Sequence, residues 1–440
     1  MTMRSRTTVT LITGILLSAA AISSQNMTDW AGQVFPPDHA LNMPIDSLPV
    51  HTNSNNFINT MGANTSLHPD FGTSWEDNGT KYQMGIPYNL VGAGQPKVPI
   101  EFYLYNDESD SGPWPIPKNP FIETVFDWRN ETDGDRHMLI IDTSAHILYE
   151  TGNVLGNSDG TSWRGGCGAI FDLNGYTLRP ETWTSSDAAG LPIFPLLIRY
   201  DEVERALAVS GEIHHAIRFT VQQSQKAYIW PARHYAASST DQNRAPMGLR
   251  VRLKASVDIS DYSPRIQVIL RTMKKYGMIV ADNGSNWYFQ GTHDDRWDDE
   301  EINSLKKLHG NNFEVVDITG WTKREGFDRN SAKVPPASGQ PVRTSIQSVN
   351  HQTSMLTVRH DISRSQLHVT LALPYTGNVT FEAFELTGER LTLPSTMFHT
   401  DCETSDIVIP LSLMSGKTMM LLRCTTDRGD RVYCTVPAVY

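Results

Sequence analysis

The sequence predicts a mainly β protein. A large β-sandwich or jelly-roll-like domain with two short helices is expected over residues 24–317, followed by a small Ig-like sandwich over 346–440. Three observations carry that expectation. From Val98 onward, short runs of alternating apolar and polar residues recur between Gly, Pro and Asn turns. Helical periodicity is confined to two stretches. Residues 318–345, with Lys333-Val-Pro-Pro-Ala-Ser-Gly-Gln-Pro341, are rich in breakers and aperiodic, so they read as a linker.

The chain opens with Arg4 and Arg6, then an apolar stretch, then Ala21 and Ser23 before a cut ahead of Ser24; residues 1–23 read as a secretory signal peptide. The expected location is therefore secreted or cell-surface. Residues 26–70 hold Pro36, Pro37, Pro44 and Pro49 and read as an extended arm. Val98, Ile100, Phe102 and Leu104 share one strand face, and Glu101, Tyr103 and Tyr105 the other. Residues 137–142 and 146–150 form a hairpin around Thr143-Ser-Ala145. Strands are expected at 207–211, 213–221, 227–235 and 249–255. Ser263-Pro264 opens a helix with apolar Ile266, Ile269, Leu270 and Met273, stopped by Gly277. A second helix at 298–308 begins acidic and ends in Lys306 and Lys307, matching the helix dipole. Five further runs between 367 and 436 complete the smaller sandwich.

Composition narrows the function. The 440 residues are 39% hydrophobic and 19% charged, which excludes a disordered chain. A net charge of −11 opposes non-specific nucleic-acid binding. No apolar run beyond the signal is long enough to span a bilayer, so no membrane span is expected. The four cysteines (Cys167, Cys402, Cys424, Cys434) form no C-x-x-C pair, which argues against structural zinc; Cys167 reads as a lone buried thiol. The P-loop, dinucleotide fingerprint, G-x-S-x-G elbow and H-E-x-x-H helix are absent, which argues against nucleotide-dependent, lipase-type and zincin chemistry.

Two resemblances add to this reading. Leu367-His-Val-Thr-Leu-Ala-Leu-Pro374, Val379-Thr-Phe-Glu-Ala-Phe-Glu-Leu-Thr-Gly388 and Leu411-Ser-Leu-Met-Ser-Gly416 make the C-terminal segment resemble a type IX secretion sorting domain. The basic tail of that pattern is not matched, since the last residues read Pro-Ala-Val-Tyr440. The resemblance implies the secretion machinery as a partner. The larger segment resembles a family of secreted bacterial proteins. The stretches concerned are Leu67-His-Pro-Asp-Phe-Gly72, Gly168-Ala-Ile-Phe-Asp-Leu173, Ser185-Ser-Asp-Ala-Ala-Gly190, Trp230-Pro-Ala-Arg-His-Tyr235 and Tyr276-Gly-Met-Ile-Val-Ala-Asp-Asn-Gly284. That resemblance implies export and a single large domain.

The candidate chemistry is carbohydrate-directed. On a strand, Tyr228, Trp230 and His234 would share one face, with Arg233 and Tyr235 on the other. Aromatic rings stack on sugar C–H faces, and polar tips bond hydroxyls. With Trp183 and Tyr103, these residues are the expected substrate-binding set. Glycoside hydrolysis needs two carboxylates, one protonated and one ionised. Asp187, in a small-residue loop, and Glu202 are the expected pair, with His234 as an accessory catalytic group. Glu212-Ile-His-His215 is a weak metal signal, and His215 reads as a core histidine. Arg250, Arg252 and Lys254 form a basic row, best read as pairing with acidic residues on a neighbouring strand. No cofactor is expected; His293-Asp-Asp-Arg-Trp-Asp-Asp-Glu-Glu301 leaves Ca²⁺ open, although a capped helix start explains most of it. The expected activity is a secreted glycoside hydrolase on extracellular polysaccharide. The alternatives are a polysaccharide lyase with His234 or Tyr235 as base, or a non-catalytic carbohydrate-binding or surface protein.

Overall fold

The computed structural model describes residues 34–130, 134–208 and 210–337, and the backbone of the strands between 355 and 437. The expected signal peptide, the end of the expected linker, residues 411–416 and the side chains of Cys402, Cys424 and Cys434 lie outside the described residues.

The protein is mainly β, as its alternating runs predict. In chain order the strands up to residue 315 are β1 (His68–Asp70), β2 (Ser74–Asp77), β3 (Thr80–Gln83), β4 (Tyr88–Val91), β5 (Ile100–Phe102), β6 (Met138–Asp142), β7 (Ile147–Gly152), β8 (Leu155–Gly156), β9 (Trp163–Gly165), β10 (Cys167–Asp172), β11 (Ile217–Val221), β12 (Arg250–Leu253), β13 (Met278–Asn283), β14 (Tyr288–Gln290) and β15 (Phe313–Val315). A six-stranded mixed sheet runs β1-β14-β11-β13-β12-β15, and a four-stranded sheet runs β10-β7-β6-β4. Leu139, Ile141, Leu148 and Phe171 of the smaller sheet share one apolar core with Ile217, Phe219, Val221 and Phe289 of the larger. Met138, Ile140 and Tyr149 face a second core holding Trp114, Trp128 and Trp163. Apolar runs such as Met-Leu-Ile-Ile at 138–141 therefore mark a strand covered on both faces.

The β6–β7 hairpin forms as expected, with Asp142 opposite Ile147. So does the first predicted helix, Pro264–Lys275, capped by Ser263 and ended at Gly277, whose φ of +66° suits glycine. The second is shorter, Asp299–Asn303, continued by a 3₁₀ turn over Ser304–Lys307. The basic row resolves by cross-strand pairing and burial. Arg252 sits opposite Glu314 and meets it at 2.8 Å, while Arg250 is buried against the Ala40 and Tyr276 carbonyls.

Three expectations are corrected. Residues 200–208 form a helix, Tyr200–Ala208, where a strand was expected to begin at 207. It buries Val203 and Ala206 and is tied by Asp201 to Arg205 at i,i+4. Residues 227–235 form no strand, because Pro231 offers no N–H to a ladder. The expected linker does not begin at 318: Trp321, Ala332 and Val334 are buried, and Ser331 bridges to Thr177.

Beyond 355 the strands form two antiparallel sheets, as a small sandwich requires. One contains Met355–Asp361, Gln366–Ala372 and Thr404–Pro410; the other is built around Thr376–Glu385 and Met419–Thr426. Among the described residues, no helix is long and apolar enough to cross a membrane.

Candidate functional site

Arg218 organises the site. It lies on β11 between Ile217 and Phe219, which point into the core, so its own side chain points to the other face. There it is held by Asp187, with Nε to Oδ2 at 2.9 Å and Nη2 to Oδ1 at 3.0 Å. Asp187 is delivered by the 183–190 loop. The Ser185 hydroxyl fastens that loop to the Asp187 and Leu191 carbonyls, and it turns at Gly190, with φ +68°. A Cβ on Gly190 would lie 2.6 Å from the Trp183 carbonyl oxygen.

Asp282 joins them through a register shift. β11 and β13 are parallel, with Phe219 beside Val280 but Thr220 beside Asp282, so Ala281 is the extra residue. A bulge of this kind turns the following side chain to the opposite face. Asp282 therefore comes to the face shared by Arg218 and Thr220, and its carboxylate lies 4.0 Å from Arg218 Nη2. On the other side of β11, the Phe219–Phe289 register sets Gln290 beside Arg218, and Gln290 in turn pairs with Asp70 at the end of β1.

Glu123 and His137 complete the group. His137 Nδ1 meets Glu123 Oε2 at 2.7 Å, and its Nε2 meets the Ser186 carbonyl at 3.3 Å. Glu150, fully buried on β7, accepts the Ile193 and Phe194 amides at 2.8–3.0 Å.

These carboxyls have diverging proton affinities. Burial, then the nearby Asp187 charge, pushes Asp282 up to about 7 against the pull of Arg218. Burial likewise raises Glu150 to about 7, despite its two amide donors, and raises Asp70. Burial also works to raise Glu123, but His137 beside it prevails and holds it below the usual range. Burial opposes the charge on His137, yet Glu123 lifts it to about 9. Glu123 and Asp282 keep 21% and 29% side-chain exposure, so neither is fully closed off. Ser186 Oγ and Gln290 Oε1 are buried atoms without a hydrogen-bond partner.

The expected residues divide around this group. Asp187 belongs to it, but as the clamp on Arg218: fully buried and with both oxygens engaged, it cannot act on a substrate. Glu202 holds different partners, Arg199 and His215. Burial raises its carboxyl, but Arg199 and then His215 outweigh that and hold it down at about 2. The expected Asp187–Glu202 pair is therefore two structural ion pairs. His234 lies against the 183–190 loop: its Nδ1 meets the Ala188 carbonyl at 2.8 Å and its ring stacks on Tyr235. Arg233 is buried, and its donors go to the Arg179 and Arg329 carbonyls and Asn330 Oδ1, so it is not free to position a sugar. Trp230 donates to the Ser331 carbonyl and packs edge-on against Phe327. Tyr228 bonds Glu181, half-buried Trp183 lies under Arg179, and exposed Tyr103 bonds the Asn153 carbonyl. These aromatics do not make one stacking wall.

Cys167 is buried, gives its Sγ to the Ser185 carbonyl, and is pushed up to about 11 by burial. The acidic run at 293–301 is taken up by protein partners. Asp294 holds Arg296, Asp295 holds Ser74, Asp298 caps its helix and Asp299 holds Thr73. Among the described residues, no group of three His, Cys, Asp or Glu side chains is placed to hold a metal ion.

Sequence reasoning missed Asp70, Glu123, His137, Glu150, Arg218 and Asp282 as a group. Asp282 carried a signal, an aspartate at the end of the apolar run Met278-Ile-Val-Ala281 and ahead of Asn-Gly. No protein-family model matches the chain, and no curated protein matches it.

Proposed function

We propose that the chain is a secreted carbohydrate-active enzyme, a glycoside hydrolase acting on an extracellular polysaccharide. One observation carries the reading. Two partly open carboxyls beside the same guanidinium are driven apart in proton affinity, Asp282 up to about 7 and Glu123 down. A protonated and an ionised carboxyl are what glycosidic cleavage requires. Asp282 is the proton donor to the leaving oxygen. Glu123, kept ionised by His137, is its partner.

The charge balance favours a neutral or amino-bearing sugar. Asp70, Glu123, Glu150, Asp187 and Asp282 face one guanidinium and one imidazolium, and the guanidinium is already held by Asp187. A uronate would meet this excess of carboxyls without a free cation to neutralise it. A lyase reading keeps one specific support: His234 gives Nδ1–H to a carbonyl, which leaves Nε2 as the basic nitrogen. A product screen on neutral, amino and uronate polysaccharides separates the readings. New reducing ends without near-ultraviolet absorbance support the hydrolase. Absorbance from an unsaturated product moves the assignment to a lyase, and binding without product to a carbohydrate-binding protein. Export rests on the signal-like N-terminus, and the C-terminal segment is proposed to serve sorting or attachment.

A further inference from the structure

We propose that the β2–β3 hairpin is an accessory glycan-binding platform, with Trp75 and Tyr82 stacking on sugar rings of the polymer held at the Asp282–Glu123 site. The proposal rests on the carbohydrate reading above. The hairpin turns at Asn78-Gly79, both at positive φ (49° and 78°), as an Asn-Gly two-residue turn does. Its register sets Trp75 directly opposite Tyr82, and their rings stack at 4.5 Å and 22°. Strand alternation then divides the faces. Gln83 and Lys81 face the protein side: Gln83 is buried with its amide on the Ile122 and Val125 carbonyls, and Lys81 lies over Phe126. Trp75 and Tyr82 take the opposite face, where Trp75 remains 46% exposed.

Trp75 and Tyr82 form a cross-strand aromatic pair, yet nearly half of Trp75 stays in solvent. The area also argues for a small ligand. Two partly exposed rings offer on the order of 200 Å², far below the roughly 800 Å² per side of a stable protein interface. Asp77 and Thr80 flank the rings on the same face, as polar groups that can bond hydroxyls. The hairpin is also continuous with the candidate site. Gly72, two residues after Asp70, bonds the Met84 carbonyl, and the Gln83 amide bonds the carbonyl of Thr124, next to Glu123. Asp70 and Trp75 are five residues apart, at most about 17 Å along the chain.

The test is affinity electrophoresis of the full chain through native gels containing soluble β-glucan, xylan, glucomannan or chitosan. Wild type, Trp75→Ala, Trp75→Tyr and Asp282→Asn are run together. The proposal predicts that one polymer retards wild type. It predicts at least tenfold weaker retardation for Trp75→Ala and an intermediate value for Trp75→Tyr. Equal retardation of Trp75→Ala and wild type overturns the platform and leaves the hydrolase reading standing. Loss of retardation in Trp75→Ala, together with full hydrolytic activity in Asp282→Asn, keeps the platform and overturns the catalytic assignment. No retardation of wild type by any polymer overturns the platform, and absence of product as well overturns both.

Discussion

Arg218 grips Asp187 through two parallel hydrogen bonds and, with the same Nη2, stands 4.0 Å from Asp282. One aspartate is thereby consumed as a clamp, and the other is left near a cation it does not fully own. This division separates a structural carboxylate from a reactive carboxyl on neighbouring elements.

Removing Arg218 strands Asp187 as an unpaired buried charge. Breaking such a pair from one side costs about 3–5 kcal/mol. Arg218→Met is expected to lose that much in urea unfolding. Arg218→Lys is expected to recover only part of it, because an ammonium cannot reproduce the two-pronged bond.

The two limbs of the pH–activity profile are expected to move independently. Asp282 must be protonated, and the Asp187 charge raises its proton affinity. Asp187→Asn removes that charge and frees Arg218 for Asp282, so the alkaline limb moves to lower pH. Glu123 must be ionised, and His137 holds it so. His137→Gln therefore moves the acid limb to higher pH. Initial rates from pH 4 to 9, with folding checked by circular dichroism, measure both shifts.

Two buried carboxyls give opposite pH dependences of stability. Glu202 is held at about 2, below its unfolded value, so its stabilisation is present above about pH 4.5 and is lost as pH falls towards 2. Glu202→Gln is expected to flatten the acid limb of a thermal-melt profile. Glu150 is raised to about 7, so the folded state favours its protonated form, and stability falls as pH rises from about 4.5 through 7. Glu150→Gln is expected to melt with wild type at pH 5 and above it at pH 8, by an amount on the order of 1–3 kcal/mol.

Much of the fold was legible from local pattern. The β6–β7 hairpin, the Pro264–Lys275 helix and the Arg252–Glu314 pairing follow from alternation, a Ser-Pro start and cross-strand charge. The candidate site was less legible, for definite reasons. Asp282 reaches Arg218 only because a single-residue bulge at Ala281 reverses its face, and no local pattern encodes that shift. His137 and Glu123 are 14 residues apart and meet through tertiary packing. The aromatic run ending at Tyr235 has the ring types and spacing of a binding strand. Pro231 and the packing of residues 327–331 against Trp230 decide its structure instead.

The central claim is that Asp282 donates the proton in a glycosidic cleavage. The most direct measurement compares reducing-end release by wild type and Asp282→Asn at pH 6, on the polymer that wild type cleaves, with both proteins shown to melt alike. A positioned general acid contributes about 10²–10⁴-fold, so a loss of that size is expected. Activity within a few-fold of wild type would contradict the assignment.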